Sequence, residues 1–432
     1  MTESGMSSAH VGAAPNARIH VLEVIGNAIV GGMESWVARM IERLPRERFR
    51  FTALCPFESP FTDRLRALDV EVLIAPMPDD PPWSTIQLAT ALVATNGIDL
   101  LHAHLPKAHL LAGIVGPMTG KPVVATVHGR HLTTLDIEVH RVAATHISVV
   151  CKQSYFHALG LGIHAAQLSC DENGVDTQMF RPQPRGPARL RASLGLAADA
   201  MLVGFVGRLS PEKGPEVFVR AMMLLNQQRP EVHSVVVGEG PMEGELRRLI
   251  ARFRLQDHVH LVGVRQDMPA VFNELDLLVS CSHSEAMPLA LMEGMASGVA
   301  AIATRVGGVP DIVEHGQTGW LVAPGDFDDI AQCCEWLLDD TATRDRMAQR
   351  ARTRAVERFD LAESVARVGE LLHRLAQPRG ESTRRTPQAV PPVAPMAPKP
   401  PAANGAALEE TGAAAAPTRR TAMRNGSLPA AT

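Results

Sequence analysis

The sequence predicts an α/β protein built as two similar halves, each a doubly wound, mostly parallel sheet. Three observations carry this. Short apolar runs alternate with stretches of helical period; the alternation breaks at a polar, Arg/Pro-rich stretch, 181–191, and then restarts; and several runs end in glycine-rich turns. Ligands of open α/β sheets bind at such strand ends.

Residues 1–17 are small and polar and read as disordered. Arg18–Ile25 reads as the first strand and Gly26 to Gly32 as a loop, after which Met33, Trp36, Val37, Met40, Ile41 and Leu44 recur at helical spacing. Strand candidates follow at 50–54, 70–75, 98–102, 122–127 and 146–150, closing a first domain at 18–180. A linker at 181–199 precedes the second set: Met201–Val206, His233–Val237, His258–Leu261, Leu275–Ser280, Ala300–Thr304 and Trp320–Val322, in a domain at 200–355. Helical material runs from about 326 to 376. The tail, 377–432, is Ala/Pro-rich without periodicity and carries seven Lys/Arg against three acids. Such a segment buries too little apolar surface to offset its ordering entropy and reads as disordered; its net positive charge is compatible with a weak tether to an anionic surface.

At 432 residues the chain is long enough for several real cores, and 46% hydrophobic with 20% charged residues is globular composition. A net charge of −4 gives no argument for nucleic acid. The six cysteines are scattered, with no C-x-x-C pair, and read as reduced core residues. No basic, apolar leader opens the chain, and no run of roughly 18 apolar residues appears, so the expectation is a cytoplasmic protein.

The most informative segment is Asp276 to Gly298. An apolar run, 276–280, reads as a buried strand, a polar loop carries Glu285, and Pro288 suits a first helical position. The helix bears Glu293 and stops at Gly298. One carboxylate thus precedes a helix N-terminus and the other rides on the helix, with free amides between them. Amides suit an anion and carboxylates suit hydroxyl groups, so the pair fits a phosphate-linked sugar. Upstream, the strand Met201–Val206 runs into Gly207–Gly214, where Arg208 and Lys213 suit a diphosphate. Gly238-Glu-Gly-Pro241, Gly263-Val264-Arg265, Gly307-Gly308-Val-Pro310 and Gly316-Gln-Thr-Gly319-Trp-Leu-Val322 are further glycine turns at or near strand ends.

In this order and spacing the set resembles glycosyltransferase family 4, the retaining group 1 type with the GT-B fold. Gly31-Gly32-Met-Glu34, Asp99–His104, Thr126–Gly129 and Asn173–Asp176 with Phe180-Arg-Pro182 match its N-terminal half, so the likeness covers roughly 18–376. The resemblance implies two Rossmann-like domains facing across a cleft. The first is on the acceptor side, the second binds the donor, and the helices at 356–376 pack back toward the first. It implies that Arg208 and Lys213 bind the donor diphosphate, with Gly207, Gly31 and Gly32 letting backbone approach it. Glu285 bonds sugar hydroxyls, Glu293 the ribose, backbone around Ala286, Met287, Pro288 and Leu289 the sugar and phosphate, Val264 the base, and His128 the sugar from the opposite wall. Ala286 departs from the family's usual glycine. The implied activity is metal-independent transfer, with retention, from a UDP- or GDP-sugar to a glycan, lipid-linked or small-molecule acceptor in envelope polysaccharide or glycolipid synthesis. No cofactor is implied beyond the nucleotide-sugar co-substrate.

Other readings compete for the same residues. A nucleotide-sugar epimerase of the same fold, or a noncatalytic sugar-nucleotide-binding protein, remains open. The two glutamates as a retaining glycosidase pair would leave the Arg208/Lys213 site unexplained. His102-x-His104, with His109, His128 and His131 nearby, has metal-ligand character, although no H-E-x-x-H accompanies it. Asp326-Phe-Asp328 has metal-binding spacing but stands where a helix N-cap is expected. Met33–Leu44, with Arg39, Arg43, Arg46, Arg48 and Arg50, reads as a core helix or as a peripheral edge touching the inner membrane face.

Overall fold

The structure, a computed structural model, describes residues 18–29, 31–183 and 189–377. The expectations for 1–17 and, apart from Gln377, for the tail lie outside the described residues. In chain order the first lobe is β1 (Ile19–Ile25), α1 (Gly32–Arg43), β2 (Phe49–Cys55), α2 (Pro60–Ala67), β3 (Glu71–Ile74), α3 (Trp83–Asn96), β4 (Leu100–His104), α4 (Pro106–Thr119), β5 (Val123–Val127), α5 (Thr134–Ala143), β6 (His146–Val149), α6 (Lys152–Gly160) and β7 (Leu168–Cys170). The second is α7 (Arg189–Ser193), β8 (Leu202–Val206), α8 (Pro215–Gln228), β9 (His233–Val237), α9 (Glu243–Arg252), β10 (Val259–Gly263), α10 (Met268–Asn273), β11 (Leu277–Ser280), α11 (Leu289–Ala296), β12 (Ala300–Thr304), α12 (Val309–Ile312), β13 (Trp320–Val322), α13 (Phe327–Asp339) and α14 (Thr341–Arg358). A last helix, α15 (Leu361–Ala376), follows.

Every strand pairing is parallel. The first sheet runs β3-β2-β1-β4-β5-β6-β7 and the second β10-β9-β8-β11-β12-β13, the same doubly wound order in both. Order therefore reverses between β1 and β4 and between β8 and β11, and the crevice outside the strand ends at those two points is where such sheets bind ligands. These are two Rossmann-like domains facing a cleft, the GT-B architecture.

Strands buried on both faces read as continuous apolar runs, and β4 and β5 are buried along their whole length. The apolar positions Trp36, Val37, Met40 and Ile41 of α1, with Leu44 at its C-cap, pack with Val21, Phe49 and Leu100. The same cluster takes Leu361, Val365, Val368, Leu371 and Leu372 of α15, so the last helix docks on the first lobe. Each such side chain contributes roughly 1.5–3 kcal/mol on burial, enough to make α15 a principal strap. Its entry is pinned by Val175 and Leu361, where Val175 N–H donates to the Phe359 carbonyl at 2.7 Å and Leu361 N–H to the Val175 carbonyl at 3.0 Å.

Three features differ from expectation. Strand β7 follows β6 and is too short, at three residues, to show alternation. The segment expected as linker contains α7, whose Arg191 is 2% exposed and bonds the carbonyls of Ala200 and Glu274 and the Asp276 carboxylate at 2.9, 2.5 and 2.8 Å. Glu274 also accepts the Leu190 and Arg191 amides, so the segment is fastened to the second lobe. Pro288 sits at the N-cap of α11 rather than inside it. Of the open alternatives, Asp326 caps α13, accepting the Asp329 amide at 3.0 Å. The arginines of the α1 region pair within the protein, Arg39 with Glu293, Arg43 with Asp176, Arg46 with Asp69 and Arg48 with Glu370. None of the six cysteines is in a disulfide, and burial pushes the thiols of Cys55 and Cys333 up to about 12. Among the described residues no helix is long and apolar enough to cross a membrane.

Candidate functional site

At the second-lobe switch point, separate loops are knitted backbone to backbone. Gly207 N–H donates to the Val237 carbonyl at 3.0 Å, Leu209 N–H to Glu239 at 2.9 Å, His283 N–H to Glu212 at 2.8 Å and Gly308 N–H to Ala286 at 3.0 Å. Two glycines are required by this approach. Gly307 has φ +54°, and a Cβ there would stand 1.5 Å from the Glu285 carbonyl oxygen; Gly214 has φ +62°, and its Cβ would stand 2.4 Å from the Cys281 carbonyl oxygen. The glycine turns noted in the sequence are thus the joints between the loops bearing Lys213 and Glu285.

Those joints bring Lys213 and Glu285 together. Lys213 Nζ donates to Glu285 Oε1 at 2.6 Å, and Ser282 Oγ donates to the same oxygen at 2.7 Å. Among the described residues Oε2 makes no hydrogen bond and remains an acceptor. Glu285 is 8% exposed, which strengthens its attraction to the lysine. Directly beyond lies the N-terminus of α11, which has no side-chain cap. Its first-turn amides and dipole therefore face the loop with their anion-binding capacity unused. Ala286 and Met287 turn their side chains into the core, leaving backbone toward the site. Ala286 is absent from the positive-φ residues, so alanine replaces the family's usual glycine there without strain. Arg208 is exposed just past the end of β8, and among the described residues its guanidinium makes no hydrogen bond. Val264 is exposed just past Gly263, whose added Cβ would stand 3.6 Å from Glu239 Oε1.

Across the cleft, Gly31 and Gly32 open α1, and Gly32 lies against Leu289, whose Cδ1 would be 3.8 Å from an added Cβ. Glu34 in the first turn accepts from Asn27 Nδ2 at 3.1 Å; burial raises its pKa, partly opposed by this bond and by Arg208. Glu293 is met by Arg39, whose two terminal nitrogens reach Oε1 at 3.1 and 3.2 Å. Burial raises the Glu293 pKa and Arg39 opposes it. This contact was not legible as function: Arg39 reads as one of a basic row, and its partner lies 254 positions away.

His128 stands on the first-lobe wall after β5, edge-on to Trp36 with ring centroids 5.7 Å apart. It lines a cavity of about 110 Å³ with Thr126, Gly129 and His131. Behind it lies a buried polar chain. Glu23, in the middle of β1, faces His102 Nδ1 at 3.2 Å and His104 Nε2 at 2.8 Å, and His104 Nδ1 faces His128 Nε2 at 2.9 Å. Burial pushes Glu23 up, but the two histidines outweigh it and hold its pKa at about 2. Burial and His102 bring His104 down to about 4, and burial with His104 takes His128 well below 6.5. Glu23, His102 and His104 have ligand atoms within 4.8 Å of one another, the grouping a metal would need. All three are 0% exposed and hydrogen-bonded to one another or to Thr126 and His128, whereas a catalytic zinc keeps a position open to substrate. His109 is likewise committed, to Asp136 and Thr145 at 3.0 Å each. The glutamate in β1, a strand whose only other polar residue is His20, is the sequence signal that could have found this chain.

Comparison with known proteins finds glycosyltransferase families matching both halves of the chain. The family described as "Glycosyltransferase Family 4" matches residues 30–179, and "Glycosyl transferases group 1" matches 188–354. The chain is 25% identical over 376 residues to the UDP-Gal:alpha-D-GlcNAc-diphosphoundecaprenol alpha-1,3-galactosyltransferase of Escherichia coli, covering 82% of this chain and 97% of that one. It is 29% identical to the D-inositol 3-phosphate glycosyltransferase of Corynebacterium aurimucosum, over 76% of this chain and 88% of the relative. Among solved structures, Anabaena HepE in complex with UDP-glucose superposes with a TM-score of 0.74 at 23% identity, covering 83% of this chain and all of that one.

Proposed function

Because the chain belongs to glycosyltransferase family 4, with the GT-B fold, and so moves a sugar from a nucleotide-sugar donor to an acceptor, we propose that the donor lies at the β8/β11 switch point and is transferred with retention and without a metal. The observation that carries this is the Lys213–Glu285 pair against the uncapped N-terminus of α11.

Breaking the bond between the sugar and the diphosphate puts positive charge on the sugar and negative charge on the leaving phosphate. Lys213, exposed Arg208 and the α11 amides supply fixed positive charge for that phosphate. Removing one such donor commonly costs about 2.7–4 kcal/mol of barrier. Glu285, its Oε1 held by Lys213 and Ser282, offers Oε2 to a sugar hydroxyl. Glu293, its Oε1 held by Arg39 from the other lobe, offers its other oxygen to the ribose. With cations already in place, no divalent ion is needed to neutralise the diphosphate.

The acceptor in this reading is a glycan or a lipid-linked intermediate of envelope synthesis, met at the inner membrane face. The E. coli relative, whose name carries a diphosphoundecaprenol acceptor and a UDP-sugar, supports testing those first. The test is the anomeric configuration of the product by proton NMR, in EDTA, with wild type and Lys213→Met. A retained anomer formed by the wild type supports the reading; an inverted anomer, or a Lys213→Met variant as fast as wild type, overturns it.

A further inference from the structure

The buried chain behind His128 does more than fill a sheet. Glu23 and His102 are register partners on β1 and β4, and His104 follows two positions later on the same face, so one carboxylate sits between two rings. An ionised carboxylate only accepts, so both nitrogens facing it, His102 Nδ1 and His104 Nε2, carry hydrogens. His104, neutral because burial disfavours its charge, then has a bare Nδ1. That nitrogen lies 2.9 Å from His128 Nε2, which must donate to it. His128, also neutral, is left with a bare Nδ1 that makes no hydrogen bond among the described residues.

We propose that Glu23 and His104 are positioning residues for sugar transfer: the relay Glu23–His104–His128 locks His128 in its Nε2–H tautomer, so that its Nδ1 lone pair accepts a hydroxyl of a sugar substrate in the cleft. The inference rests on the transferase reading for its hydroxyl, whereas the tautomer follows from the buried hydrogen bonds together with the neutrality of the two buried rings. His102 terminates the relay on the other side, its Nε2 meeting Thr126 Oγ1 at 2.8 Å. Trp36, packed edge-on, fixes the plane of the His128 ring.

The test is nitrogen-15 NMR of histidine-labelled full-length protein together with steady-state transfer kinetics. Three proteins are compared: wild type, His104→Phe and His104→Asn. Asparagine places an amide oxygen near the former Nδ1 and keeps an acceptor for His128; phenylalanine keeps the bulk and removes it. The wild type should show His128 as the Nε2–H tautomer. His104→Phe should show a mixture and lower kcat about ten-fold, the loss of one hydrogen bond, with little change in donor KM. His104→Asn should restore both. A wild-type His128 protonated on Nδ1 overturns the relay. So does a His104→Phe variant that shifts the tautomer without changing kcat, or one that loses rate with its tautomer unchanged. Failure of the transferase reading is distinguishable: no donor would be turned over by any of the three, while the tautomers would still follow the substitutions.

Discussion

Substituting Gly307 by alanine tests whether the site is held by backbone contact between loops. The added Cβ would lie 1.5 Å from the Glu285 carbonyl oxygen, and real Cβ contacts essentially never fall below 3.0 Å, so the two chains must part by about 1.5 Å. Glu285 rides on the chain that moves, and its bonds to Lys213 and Ser282 are 2.6 and 2.7 Å long. A misplacement of about 1 Å at a reacting centre commonly costs about 10²-fold in rate. The left-handed backbone at φ +54° adds about 1–2 kcal/mol of conformational cost. Gly97→Ala is the control: φ is +64° there, but nothing lies within 4 Å of the added Cβ, so it carries the conformational cost alone. Thermal unfolding and donor turnover are measured for both. Gly307→Ala should lose about 100-fold in kcat/KM, and Gly97→Ala should lose stability with full activity. Equal activity in the two variants would refute the reasoning, because the Glu285–Gly307 contact would then not be what sets the site.

Further outcomes follow from the charges. Glu285→Gln, which keeps the shape but weakens the bond to Lys213, should lower kcat by about 10²–10³-fold, read from initial rates at saturating donor; an unchanged kcat would remove Glu285 from the reaction. Arg39→Met takes from Glu293 the cation that opposes its raised pKa, so Glu293 should protonate at a higher pH. Donor affinity, followed by calorimetry, should then weaken on acidification at a higher pH than in wild type; superimposable profiles would contradict the role of Arg39. His104 is held down to about 4, and His128 also lies well below 6.5, so between pH 6.5 and 4 the unfolded chain binds protons that the native state does not. Stability should therefore fall as pH drops through that window. The melting temperature should be lower at pH 5 than at pH 7, with a smaller difference in His104→Phe; no difference in wild type would count against the buried neutral histidines.

Much of the fold was legible because parallel strands buried on both faces must be apolar, and runs such as Ala300–Thr304 stand out without help from context. Strand β7 and helix α7 did not stand out: the first has three residues, and the second is polar in sequence and held by Arg191 and Glu274, a tertiary arrangement. On the site, Lys213 and Glu285 are 72 positions apart, and only the ordered set of glycine turns hinted that they meet. The glycines are legible because backbone contact between loops admits no other residue. Arg39 was hidden because its partner is on the other lobe, and a charge in an amphipathic helix reads first as solvated. Glu23 was hidden for the opposite reason: one buried acid barely disturbs an apolar strand pattern, yet it organises three histidines.

The measurement that bears most directly on the central claim is donor binding and slow hydrolysis across UDP-, GDP- and ADP-sugars in EDTA, with wild type beside Glu285→Gln. One class of donor bound by both and turned over only by the wild type is the predicted result, and it would name the nucleotide. No binding to any donor, or turnover appearing only when zinc is added, would contradict the account and return attention to the histidines of the first lobe.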